Sequence, residues 1–147
     1  MPNGPSNPKQ TRQKPLPQCK AVLLCENVVE DEITGQFSLN KLIDVVRFST
    51  FPGVSLPFAL FLQLYDGIGR YQLAIELRDL ADGTRVAVAM FSSLDFIERL
   101  ANMDVVLPVD SLRLPRAGRY QFAVLLDGEE LATQHLDAEF ENGEETE

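Results

Sequence analysis

The sequence predicts an all-β fold, a two-sheet antiparallel β-sandwich, and three observations carry that expectation. Tyr120, Phe122, Val124 and Leu126 alternate with Arg119, Gln121, Ala123 and Leu125, the period of two that turns one set of side chains toward a core. Asp127-Gly128 follows, a pair that accepts positive φ cheaply, so the run from Leu131 to Phe140 reads as the returning strand of a hairpin. A related segment lies 49 residues earlier, where Gly69-Arg70-Tyr71-Gln72 matches Gly118-Arg119-Tyr120-Gln121 and Asp82-Gly83 supplies the next turn. A glycine before an aromatic-rich alternating strand is a common way to begin one, so the repeat is read as architecture.

The elements follow in order. Residues 1–18 hold Pro2, Pro5, Pro8, Pro15 and Pro17 among polar residues, too little apolar surface to offset the entropy of ordering; a disordered Pro-rich tail is expected. The β domain is expected over residues 19–140. Residues 19–29 form the first strand, and Ala21-Val22-Leu23-Leu24-Cys25 is apolar on both faces, the mark of a strand covered on both sides. Residues 30–35 turn at Gly35, and residues 36–48 read as one returning strand. Pro52 and Pro57 make residues 49–57 a crossover between sheets, with Phe51 and Val54 packing down. Residues 58–65 form a second strand apolar on both faces. Residues 70–80 have one core face (Tyr71, Leu73, Ile75, Leu77), and residues 84–91 follow with Val86 and Val88 in phase.

Residues 92–103 admit one short helix, because Leu94, Ile97, Leu100 and Ala101 fit a helical stripe and Ser92 or Ser93 can cap it. Residues 105–109 return to β character and are edge-like because of Pro108. Residues 112–117 extend into the final hairpin, and residues 141–147 are an acidic disordered tail.

Composition bounds the chemistry. At 147 residues the chain suffices for one domain that removes roughly two-thirds of its unfolded surface from water without metal or disulfide staples. The net charge is −9, with Lys9, Arg12, Lys14 and Lys20 in a first stretch free of acids and six acids in the last eleven residues. An acidic body repels phosphate backbones and anionic lipid, so neither nucleic acid nor a membrane surface is expected as partner. No run approaches transmembrane length and no apolar leader precedes the domain. Cys19 and Cys25, on one extended strand, would stand about 20 Å apart at ~3.3 Å per residue, too far for a disulfide. Two free thiols and a cytoplasmic location follow.

No catalytic constellation is legible, and no cofactor is expected. A hydrolase needs a nucleophile, a base and an oxyanion site; His135 is the sole histidine, set between Gln134 and Leu136 in an expected strand. No phosphate-binding or dinucleotide glycine pattern follows a strand. Asp66, Asp79, Asp82 and Asp127, at strand ends, are candidate Ca²⁺ ligands because loop oxygens suit that hard ion. Against this, Asp-Gly is ordinary hairpin-turn chemistry.

The patterns Leu23-Leu24-Cys25-Glu26 with Asp31-Glu32, Thr34-Gly35 and Ser38-Leu39, then Phe51-Pro52, the turn at 66–69, and Leu114-Pro115 through Leu125-Leu126-Asp127-Gly128 to Leu131-Ala132 resemble an uncharacterised family of small bacterial proteins, a domain of unknown function. The resemblance spans about residues 19–140. It implies an immunoglobulin-like sandwich and brings no catalytic residue with it. The function expected is a non-catalytic protein-interaction module that binds a protein partner or self-associates as a homo-oligomer. The alternatives are a Ca²⁺-dependent binding domain using the acidic loops and a small hydrolase built around His135 or the cysteines.

Overall fold

The computed structural model describes residues 15–91, 93–99 and 101–141, and all regular structure in them is β. The strands are β1 (Gln18–Glu30), β2 (Phe37–Leu42), β3 (Val45–Phe48), β4 (Gly53–Val54), β5 (Phe58–Tyr65), β6 (Gly69–Tyr71), β7 (Leu73–Asp79), β8 (Arg85–Met90), β9 (Leu94–Phe96), β10 (Met103–Val109), β11 (Arg113–Leu114), β12 (Gly118–Leu126) and β13 (Glu129–Phe140). One sheet runs β10-β5-β1-β2 and a second runs β3-β13-β12-β7-β8; the pairs β4–β11 and β6–β9 close the ends.

The two large sheets share one core. Val22, Leu24, Leu60, Leu62, Leu64 and Leu107 face Leu73, Ile75, Leu77, Tyr120, Phe122, Val124 and Leu136, and the Phe58 and Phe122 rings meet edge-on across the gap at 6.4 Å. Alternation therefore does what the period of two requires. The repeated Gly-Arg-Tyr-Gln also has an architectural use. The buried Tyr71 hydroxyl donates to the Pro15 carbonyl (2.8 Å) and accepts from the Ile68 N–H (3.0 Å). The buried Tyr120 hydroxyl donates to the Arg116 carbonyl (2.6 Å) and accepts from the Arg116 N–H (3.3 Å). Each tyrosine ties the segment before its strand to the core.

Several expectations need correction. The segment 92–103 is not helical where it is described: Leu94–Phe96 is strand β9, paired with β6, and residues 92 and 100 lie outside the described residues. The helical stripe fails because Ile97 is 95% exposed, whereas Phe96 is buried with its ring edge-on to Tyr71 at 5.4 Å. A period of two won over the longer one. The single strand expected over 36–48 divides into β2 and β3. Lys41 adopts φ 59°, and the chain crosses at Ile43-Asp44 to the other sheet, where β3 pairs with β13 in parallel. The fold is thus not purely antiparallel. Likewise 70–80 breaks at Gln72 into β6 and β7. Phe51 packs at the core margin as expected, but Val54, in β4, is 56% exposed. Val86 packs against the core, while Val88 faces outward opposite Glu76. Of the expected tails, 1–18 and 141–147, residues 1–14 and 142–147 lie outside the described residues, and Gln18 opens β1.

The doubly apolar strands find their cover within the chain. Cys25, Ala59 and Phe61 point away from the shared core, yet all three are buried. Phe37 pairs with Glu30 while Phe61 pairs with Leu23, seven positions along β1 and so roughly 23 Å apart on a flat strand. Their rings nevertheless meet at 6.0 Å. The β1–β2 hairpin must therefore curl back over the outer face of its own sheet.

Candidate interaction surface

A sheet edge offers unpaired N–H and C=O groups, and natural edges carry devices that keep other strands away. Three of the four edges here are guarded by proline, charge, positive φ or short length. In β10, Pro108 removes a donor and Asp104 adds charge. In β2, Lys41 twists the backbone with its positive φ and reaches toward Glu26 at 4.0 Å. β3 is only four residues long and bears Arg47, ion-paired with Glu139 at 3.5 Å.

β8 differs. After Arg85, held to Glu76 at 3.5 Å, it reads Val86-Ala87-Val88-Ala89-Met90 with no proline, glycine or charge. Its free side has no strand beside it among the described residues, and Val88 and Met90 are 45% and 64% exposed. On the inner side, Ala87 and Ala89 border a crevice of about 200 Å³ between β8 and β10, with Leu107 and Val109 opposite and Leu60 and Phe122 at its floor. Space of that order accommodates one or two aliphatic side chains, since a 150 Å³ apolar cavity takes up benzene.

The turn that launches β8 is fixed by the residues read above as calcium candidates. The Asp79 N–H donates to the Thr84 carbonyl (2.8 Å), and Gly83, at φ 75°, donates to the Asp79 carbonyl (2.7 Å). Asp82 accepts from the Thr84 N–H (3.0 Å) and hydroxyl (2.7 Å), and these bonds hold its carboxyl below the usual range. Arg116 clamps both acids, at 2.8 Å from Asp79 and 3.2 Å from Asp82. The bond to Asp79 raises the guanidinium further. The other two candidates stand at the far end. Asp127, at φ 50°, accepts from the Gln72 N–H (2.8 Å) next to the Leu126–Leu73 pair. Asp66, in the loop leading to β6, is bound by Arg99 at 2.6 Å. Since Tyr120 pairs with Asp79, the two ends are separated by six residues of strand, roughly 20 Å. The structure does not bring the four aspartates together. No group of three or more His, Cys, Asp or Glu among the described residues is placed to hold a metal.

The hydrolase candidates are also dispersed. His135 is exposed on the outer face of the five-stranded sheet, opposite Gln121. Cys25 lies buried on the outer face of the other sheet, with both core layers between them. Cys19 packs at the core margin, its thiol donating to the Ala21 carbonyl (3.3 Å). Both thiols are free, and burial pushes both up from their ordinary pKa, away from a reactive thiolate. A larger groove of about 570 Å³, between Ile43, Val46, Phe48, Leu56 and Phe58, includes Glu26 and Arg47 at its rim. Ser55, the one hydroxyl among its lining residues, accepts from the Leu112 N–H (3.0 Å).

The β8 edge was missed in the sequence because its residues read as an ordinary in-phase strand. The absence of Pro, Gly and charge over five residues was the available signal, but its meaning depends on β8 being at an edge.

No curated protein matches the chain. Among solved structures it is similar to the Pseudomonas fluorescens alkylpurine DNA glycosylase AlkC bound to DNA containing an abasic site analog. That similarity has a TM-score of 0.42 and 13% identity, over 65% of this chain and 27% of the other, and it carries no argument here. No helix among the described residues is long and apolar enough to cross a membrane. A family model does match, over residues 20–139, which takes in β2 through β12 and nearly all of β1 and β13. Over that whole two-sheet body, the chain belongs to DUF6941, a family of unknown function.

Proposed function

We propose that this protein is a non-catalytic interaction module that pairs through the free edge of β8, with a second copy of the same chain as its partner. One observation carries the reading: beyond the bulge at Val86, β8 is the sheet edge with an apolar run, Ala87 to Met90, that holds no proline, glycine or charge. Two copies meeting antiparallel would join their five-stranded sheets into one of ten strands, an isologous contact that closes on itself. Alternate residues of each β8 would then approach the partner's crevice. The tyrosine corner made by Tyr120 and the Arg116 backbone supports an immunoglobulin-like sandwich as the finer description of the fold. The net charge of −9 supports a partner other than nucleic acid or anionic membrane, and two unpaired thiols support a cytoplasmic setting.

Sedimentation equilibrium from micromolar to submillimolar protein tests the proposal. The wild type is expected to reach dimer and Val88→Lys, which puts a charge on an already exposed side chain, to remain monomer. A wild type that stays monomeric throughout overturns self-pairing.

A further inference from the structure

The chain enters its described body at Pro15, beside a groove whose charge is opposite to that of the residues before it. The Pro15 carbonyl is held by the Tyr71 hydroxyl at 2.8 Å. The Tyr71 ring meets Phe96 edge-on at 5.4 Å, and Phe96 lines a groove of about 500 Å³ with Asp95, Ile97, Glu98, Met103 and Asp104. Asp95 is paired with Arg70 at 3.3 Å, and Asp104 accepts from the Gln63 amide at 2.9 Å. Glu98 has no ion-pair partner among the described residues, and Ile97 is 95% exposed. The groove thus presents three acids, no base among its lining residues, and an uncovered aliphatic side chain.

Residues 1–14 carry Lys9, Arg12 and Lys14, no acid, and prolines at 2, 5 and 8. We propose that this segment folds back onto its own chain as an extended strap in the Phe96 groove, its cations over Glu98, Asp95 and Asp104 and its apolar and proline surface over Ile97. Fourteen residues in the polyproline II form span about 43 Å at ~3.1 Å each, more than enough to cross a groove that starts one ring pair from Pro15. Proline restricts the strap before it docks, which lowers the ordering cost. The tether also sets a local concentration on the order of millimolar, so weak contacts are sufficient. Proline lacks the donors of a β-ladder, so this is a surface for a basic, Pro-rich peptide and not another strand-pairing edge.

The test places a nitroxide on the full chain through Ser6→Cys in a Cys19→Ser background and reads amide relaxation in ¹⁵N-labelled protein. Broadening of Ile97, Glu98 and Asp104 well above that of Ile33 and His135 is expected. It should fall roughly twofold or more between 0.05 and 0.5 M NaCl and vanish in Lys9→Glu/Arg12→Glu/Lys14→Glu, whose changes all lie outside the described residues. Uniform broadening, or a pattern that survives the charge reversal, overturns the proposal. A mixture of labelled chains without nitroxide and unlabelled chains with it separates the two possible sources of strap. Broadening there equal to that in the singly labelled sample would assign the strap to a second copy and overturn the intramolecular reading.

Discussion

Replacing Phe37 with alanine tests the curl of the first hairpin directly. Phe37 is half-buried and its ring stands 6.0 Å from Phe61 at 61°. A phenylalanine buries about 200 Å² when enclosed, so losing half of that at ~25 cal/mol per Å² costs roughly 2.5 kcal/mol. The edge-on pair adds about 0.5–1.5 kcal/mol, and relaxation of a surface hairpin recovers some of the total. A loss of about 2–3 kcal/mol is expected, seen as a lower urea midpoint at unchanged slope. Phe37 packs on Phe61, on the same outer face on which Cys25 is fully buried. Phe37→Ala in a Cys19→Ser background should therefore speed reaction of the Cys25 thiol with a disulfide reagent, while Ile33→Ala, at the exposed hairpin tip, should leave both readouts unchanged. If Phe37→Ala alters neither midpoint nor thiol rate, the hairpin does not pack on its own sheet, and the burial of Phe61 needs another source.

Further outcomes follow from the turns and tyrosines. Asp31 and Asp82 have carboxyls held below the ordinary value by the N–H groups of Thr34 and Ile33 and of Thr84 respectively. Their contribution is complete above the ordinary carboxylate range near pH 4 and disappears as pH falls through the depressed folded values, so Asp31→Asn/Asp82→Asn should flatten the acid limb of a stability–pH curve. An unchanged slope would show that the turn bonds do not persist in solution. Tyr120→Phe removes the donor to the Arg116 carbonyl and should cost about 1–2 kcal/mol, a fall of roughly 3–8 °C in melting temperature; a neutral result would mean that water replaces the hydroxyl. Millimolar calcium should leave the melting temperature in place, because Asp79 and Asp82 are held by Arg116 and stand far from Asp66 and Asp127; a rise of several degrees would reveal a native-state site. Gly67→Ala should destabilise, since a Cβ there would stand 2.7 Å from the Phe96 ring, and wild-type stability would mean that the ring moves aside freely.

The hairpin of β12 and β13 was legible because alternation, an Asp-Gly turn and a long apolar run all agreed, and β5 matched its expected bounds of 58 and 65. The breaks at Ile43-Asp44 and Gln72 were not legible. Each is a place where a strand with continuous β character leaves one sheet for another, and the choice depends on which neighbour is available. For the same reason Leu94–Phe96 looked helical: Ile97 completes a stripe on paper but faces solvent in the fold. The aspartates were visible as residues and as turns, but their separation to opposite ends of the sheet was fixed only by the β7–β12 register. The outer face of residues 21–25 is buried at Cys25 and half-buried at Ala21 and Leu23, and the packing of Phe37 on Phe61 required a bend that no short pattern encodes.

The parallel pair of β3 and β13 joins residue 45 to residue 137, 92 positions further along the chain (137 − 45). During synthesis β3 therefore leaves the ribosome long before its only neighbour in the sheet exists, and until residue 140 has emerged β12 also lacks one of its two partners. Pairings of such long sequence separation form late and slowly. In the interval the nascent chain exposes two temporary edges, one of them the buried-to-be strand Tyr120-Gln121-Phe122-Ala123-Val124. A stall or cleavage before β13 would leave a species prone to capture by other strands, so the twelve residues of β13 act as the closing step of biogenesis as well as one strand of the sheet.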